Sequence, residues 1–184
     1  MVWSDRPGVI TGSYSNFKKN FGIPDNAQSL SRYSNFKLDY IENAIASNYY
    51  RLGLSVIVSQ SGMIRSFRLH PRISTHTAAY TPVDFETETG ITTHAARSKV
   101  LEVYGEPCRY LRSSDSSTRT LGYQYSRGIT LVEKFYFQTG NGFMEWKFLN
   151  GKLYLLALYD ADFGTCLKQT HPFFAVEGIN KCQN

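Results

Sequence analysis

Four histidines, three cysteines and two alternating pairs of acids are the residues with which this 184-residue chain could make or break bonds. Histidine is the commonest general base. His70 and His171 each precede a proline, His94 opens a helical stretch, and His76 lies in a connecting segment. A thiol nucleophile would join Cys108 to His94 and Asp115. Cys108 follows the end of a helical stretch, however, where no N-terminal dipole lowers a thiol's pKa. Glu86 with Glu88, and Asp160 with Asp162, alternate as a metal-binding or acid–base pair would. Their places in a linker and after a strand fit solvated carboxylates more simply.

The known nucleotide and hydrolase signatures fail. Gly151-Lys152 would need glycine at 146 and Ser or Thr at 153, where Trp146 and Leu153 stand. Neither HExxH nor Gly-x-Ser-x-Gly occurs. No CxxC and no zinc-like Cys/His spacing is present. No catalytic residue, metal or cofactor is therefore assigned. Cys166 and Cys182 flank the His171-Pro172 turn. A bridge between them would close a loop of about 15 residues and contribute around 3 kcal/mol. The alternative is a pair of reduced thiols. A bridge would leave Cys108 as the odd cysteine and imply an oxidising compartment.

The composition excludes several classes. Aromatic residues make 15% of the chain and charged residues only 19%, which excludes intrinsic disorder and coiled coil. No apolar run is long enough for a membrane-spanning helix. No basic stretch followed by an apolar one opens the chain, so no signal peptide is read there. The net charge of +5 is modest and its basic residues are scattered. Arg65, Arg68 and Arg72 are the nearest approach to a basic patch. Nucleic acid is not the expected partner, because such binders cluster Lys and Arg on one stripe.

The elements that must position any site form a weak internal repeat. In Gly90 to Pro107, Ala96, Val100 and Tyr104 recur at helical spacing, with Thr92 or Thr93 as a cap. Gly105-Glu106-Pro107 stops the helix. In Ser13 to Pro24, Tyr14, Phe17 and Phe21 form a similar stripe, and Gly22-Ile23-Pro24 repeats the stop. After the second stop the spacing predicts a polar loop over 113–118. Strands follow over Leu121–Tyr125, Leu131–Gln138, Phe143–Leu149 and Lys152–Tyr159. Asn150-Gly151 is a hairpin signal, since both positions must take positive φ. The first half predicts strands over Phe36–Ile41, Tyr49–Ser59 and Met63–Leu69, one fewer than the second. Residues 39–47 fit either a short capped helix or strand and loop.

The Gly-Ile…Val-x-x-x-Tyr-Gly-x-Pro pattern, followed by strands closed by a glycine hairpin, resembles one repeat of the beta-lactamase inhibitor protein fold. It is also similar to the small outer-membrane lipoproteins of the SmpA/OmlA family. The likeness spans residues 8–69 loosely and 90–159 more fully. It implies an α+β fold of two related halves, each a short helical segment packed on an antiparallel sheet. The expected division is a first repeat over 8–70, a linker over 71–89, a second repeat over 90–160, and a C-terminal tail over 161–184 packing on the body. The resemblance further implies a non-catalytic protein that binds another protein through an exposed sheet face, as an inhibitor or immunity-type module does, with a microbial role as a special case.

Strand alternation names that face. Met144, Trp146 and Phe148 should turn toward the helices, leaving Glu145 and Lys147 outward. In the preceding strand Phe135 and Phe137 inward leave Lys134 and Tyr136 outward. Tyr123 comes from the first strand. Tyr123 and Tyr136 are the expected partner-binding anchors, and Lys134, Glu145 and Lys147 the groups that orient the partner. Two alternatives remain beside this reading: a small enzyme with a cleft between the halves, and a basic aromatic nucleic-acid binder.

Overall fold

The computed structural model describes residues 2–3, 13–29, 44–71, 80–115, 130–140, 142–163 and 182. Its ten strands and two α-helices are β1 (Val2–Trp3), α1 (Tyr14–Phe21), β2 (Asn26–Ser29), β3 (Ile45–Tyr49), β4 (Leu54–Val58), β5 (Ile64–Leu69), β6 (Glu86–Thr87), α2 (Arg97–Tyr104), β7 (Arg109–Asp115), β8 (Thr130–Thr139), β9 (Gly142–Leu149) and β10 (Lys152–Asp160). Eight strands form one sheet in the order β2-β3-β4-β5-β10-β9-β8-β7, and every pairing in it is antiparallel. β1 and β6 pair separately, in parallel. The fold is α+β, with an antiparallel sheet as its main element.

The sheet closes at its centre, where the last strand of each run meets. Leu156 pairs with Leu69 and Leu158 with Phe67. Both helices pack on one face. Phe17 of α1 lies 4.3 Å from Phe21, 5.5 Å from Tyr49 and 6.1 Å from Phe67, ring centre to ring centre. Val100 of α2 is fully buried, and Tyr104 reaches Phe137 at 5.4 Å and Trp146 at 5.8 Å. One apolar core joins these helix residues to Val56, Met144, Trp146, Phe148, Leu153 and Leu156. Alternation therefore places the β8 and β9 side chains on the faces expected of them.

Local signals explain both helices. Ser13 caps α1 by accepting from the Asn16 N–H, and Gly22 ends it at φ 80°. Gly105 ends α2 at φ 75°, a region glycine enters at no steric cost. The α2 start differs from expectation. Neither Thr92 nor Thr93 caps it; the N-cap is Ala96, without a side-chain bond. Thr93 instead accepts from the Phe85 N–H at 2.8 Å and donates to the Phe85 carbonyl at 3.2 Å. Those bonds fold residues 80–96 against the sheet, and Phe85 and Ile91 enter the core.

Further expectations change. The apolar stretch Tyr49–Ser59 is not one strand: a 3₁₀ turn over Tyr50–Leu52 and Gly53 at φ 63° split it into β3 and β4. Residues 45–47 are strand rather than helix. Among the described residues the first run puts four strands in the sheet, β2–β5, and β2 falls where no strand was expected. The expected polar loop over 113–118 is strand as far as Asp115, because β7 pairs with β8 along its whole length. The expected strands Phe36–Ile41 and Leu121–Tyr125 lie outside the described residues. At Asn150-Gly151 both residues take positive φ, 48° and 73°, in the hairpin between β9 and β10.

Candidate functional site

The face of the sheet away from the helices carries Arg68, Arg109, Lys134, Glu145 and Lys147, whereas the buried Glu133 lies on the helix face, accepting from Arg97 of α2 at 2.6 Å. On the face away from the helices, registers align one row crossing seven strands: Asn48, Ser55, Arg68, Ala157, Glu145, Tyr136 and Arg109, each opposite the next. A second row beside it runs Leu155, Lys147, Lys134, Leu111. The expected partner-binding residues Lys134, Tyr136, Glu145 and Lys147 do come together here, opposite the helices. Tyr123 lies outside the described residues.

Their exposure is the correction. Tyr136 and Glu145 are 4% exposed and Lys147 is 6% exposed; Lys134 is half-buried. These four are not a solvated sheet face. They sit within a second apolar cluster that includes Leu111, Val132, Phe143, Leu149, Ala157 and Tyr159. Residues beyond the last strand complete that cluster. Phe163 stacks on Tyr159 at 3.7 Å and approaches Tyr136 and Phe143 at 6.0 and 6.2 Å. Cys182 also joins it. Alternation alone cannot distinguish a polar side chain facing water from one facing a covering segment, because both alternate with period two.

A buried charge needs partners, and Glu145 has them. Glu145 accepts from the Tyr159 hydroxyl at 2.6 Å and has the Lys134 ammonium at 3.8 Å. Burial alone would raise the Glu145 pKa; Lys134, the Tyr159 bond, Lys147 and Arg68 outweigh it and hold the carboxyl below its usual range. Burial and the Glu145 charge push the Tyr136 phenol well up, so Tyr136 stays neutral. Lys147 faces Lys134 directly across the strand pair and lies 4.9 Å over the Tyr154 ring. Burial, with the Lys134 and Arg68 charges, lowers its pKa to about 7 despite Glu145. Burial likewise lowers Arg109 from its usual value.

His70 stands at the end of β5, its ring 4.0 Å from Tyr80 and its Nε2 3.1 Å from the Ser55 hydroxyl. Burial, then Arg68 and Lys147, lower its pKa to about 3, so the imidazole is neutral. Tyr80 donates to Asn48 at 2.6 Å, extending the network to the first strands. Sequence pattern did not assign His70, Arg109, Tyr154 or Tyr159 to this face. The period-two pattern of β10 would have found Tyr159, two residues from Ala157.

The candidates for chemistry fall elsewhere. Cys108 is bonded to Cys182, 74 residues away. That overturns the Cys166–Cys182 pairing, because the sheet brings the start of β7 to Cys182; Cys166 lies outside the described residues. It also removes the Cys108 thiolate that a nucleophile with His94 and Asp115 would require. His94 is exposed, 3.9 Å from Asp84. Asp160 and Asp162 both grip Arg65, at 2.6 and 2.9 Å. Glu86 and Glu88 are exposed. Among the described residues no group of three or more His, Cys, Asp or Glu is placed to hold a metal ion. No helix among them is long and apolar enough to cross a membrane. Comparison with protein-family models, with curated proteins and with solved structures finds no match to this chain.

Proposed function

We propose that this is a non-catalytic binding protein of an oxidising compartment, which docks on a partner protein and occludes it. The observation that carries this reading is that both faces of the sheet over β7–β10 are closed by side chains. With those faces covered, binding falls to the edges and turns of the sheet. Loops held by a rigid scaffold are where binding groups concentrate, and preorganisation lowers what association costs. The Cys108–Cys182 bridge supports the compartment, since structural disulfides persist where thiols are not kept reduced.

We further read the two runs of strands as related halves. Each orders a helix with a glycine stop, then four antiparallel strands, and the halves join through β5 and β10. That order supports the resemblance to the beta-lactamase inhibitor protein fold. It departs from the expected docking mode, since Tyr136, Glu145 and Lys147 are supports beneath the surface rather than anchors on it. The test is complex formation. The disulfide-intact protein, titrated with the extracytoplasmic fraction of its source, should form one complex of fixed stoichiometry by light scattering. Turnover of a small molecule from that fraction, with no complex formed, would contradict the reading.

A further inference from the structure

One end of the sheet exposes an apolar side chain that the fold holds rigidly outward. Ile23, between α1 and β2, is 88% exposed. Its loop is held at several points. The Gly22 N–H donates to the Lys18 carbonyl, the Gly22 carbonyl accepts from the Tyr49 hydroxyl at 3.3 Å, and the ring of Pro24 fixes its own φ. Asp25 then accepts from the Arg51 N–H at 3.3 Å and lies 3.8 Å from its guanidinium. That contact ties the loop to the 3₁₀ turn carrying Leu52, which is 42% exposed. Lys18 and Lys19 occupy the last turn of α1, and the Arg51 side chain is 91% exposed. Ile23 and Leu52 thus stand exposed on two segments tied through Asp25 and Arg51, with Lys19 and Lys18, the latter 5.0 Å over the Tyr14 ring, in the helix turn that precedes Ile23.

We propose that this end of the sheet is the surface that docks the partner, and that the partner presents an apolar pocket rimmed by carboxylates. This rests on the binding-protein reading above. A two-fold contact of this end with itself is disfavoured, since it would bring the same cations face to face. An anionic membrane fits less well. The strongly anionic leaflet is the cytoplasmic one, whereas the disulfide places the protein in an oxidising compartment. A protein pocket fits what is displayed: Ile23 as the inserted group, Leu52 on the turn tied to its loop, and Arg51, Lys18 and Lys19 to steer and orient.

The test is selection of a displayed random-peptide library on the disulfide-intact protein, with Ile23→Ser and Arg51→Glu measured in parallel. Both substitutions lie on exposed side chains, so unchanged melting temperatures should certify the fold. The expected result is enrichment of peptides that combine Asp or Glu with large apolar residues. Their affinity should fall about tenfold in each variant, and added salt should weaken them. Enriched peptides that bind both variants as well as the parent would leave the binding reading standing and overturn this surface. No enrichment at all would overturn both. Sedimentation of the parent, but not Ile23→Ser, with phosphatidylcholine–phosphatidylglycerol vesicles, without peptide enrichment, would overturn the protein partner in favour of a lipid surface.

Discussion

Strand β9 faces two environments built on different physics. Toward the helices, Trp146 and Phe148 meet Phe85, Tyr104 and Phe135, and the centre of that layer is held by burial of apolar area. Away from the helices, Glu145 and Lys147 are buried almost as deeply but are held by partners: Tyr159, Lys134 and the Tyr154 ring. The first kind of burial is non-directional and indifferent to pH. The second is directional, and its contribution depends on who carries a proton. The apolar layer supplies most of the stability. The polar layer makes that stability sensitive to pH and ties the ends of the chain's second half together.

The largest effect should come from the apolar side. Trp146→Ala removes the side chain at the centre of the core and should cost about 3–5 kcal/mol, read as a lowered urea midpoint. Opening the clamp on the polar side comes next. Cys182→Ser releases a 74-residue separation, which the chain-entropy relation values at about 4 kcal/mol. Thermal melts of the two variants would rank the layers, and a larger loss from the clamp would reverse the comparison.

Gly53 tests the turn that splits the first half's long strand. Its φ is 63°, and a Cβ there would meet the Thr81 carbonyl oxygen at 2.3 Å. Gly53→Ala should therefore destabilise by about 1–3 kcal/mol. Gly22→Ala has the same positive φ with open space around it, so its loss in the same urea titration should be the smaller.

The pH dependence sets two groups of the second face, His70 and Lys147, against Tyr110, which stacks on Phe135 on the helix face. His70 has its folded pKa lowered from 6.5 to about 3, so the unfolded chain binds its proton first. Stability should fall as pH drops from 6.5 toward 3, and His70→Gln should flatten that fall. Lys147 has its folded pKa lowered from 10.5 to about 7, with the same sign. Its contribution should raise stability between pH 7 and 10.5. The Tyr110 phenol is pushed up to about 12 by burial and its bond to Glu133, and it acts oppositely. Its contribution is present below pH 10 and lost as pH rises through 12. Urea midpoints across pH should therefore peak on the alkaline side of neutral.

Legibility in the sequence divides along the same line. The Gly-x-Pro stops at Gly22 and Gly105, the Asn150-Gly151 hairpin and the inward stripe of β9 are local signals, and each sits where its residues require. The Tyr49–Ser59 break was legible in principle through Gly53, but a run of tyrosine and aliphatic residues masked it. The Ser-rich stretch at 113–115 looked like loop because pairing with β8, a non-local event, makes it strand. Burial of Glu145 and Lys147 was not legible. The apolar cluster around them takes in Phe163 and Cys182, which lie well beyond β9 in the chain. The disulfide failed for the same reason, since the nearest cysteine in sequence was not the nearest in space.

Above all, the charged residues of the second face form an internal bonded layer rather than a docking surface. Titration of the Lys147 amine by nitrogen-detected NMR distinguishes the two, with Lys147→Met to assign the signal. A buried, bonded Lys147 should titrate with a midpoint near 7, and Lys147→Met should leave partner binding intact. A midpoint at the ordinary lysine value of 10.5, together with loss of binding in Lys147→Met, would refute the internal layer and return this face to the surface.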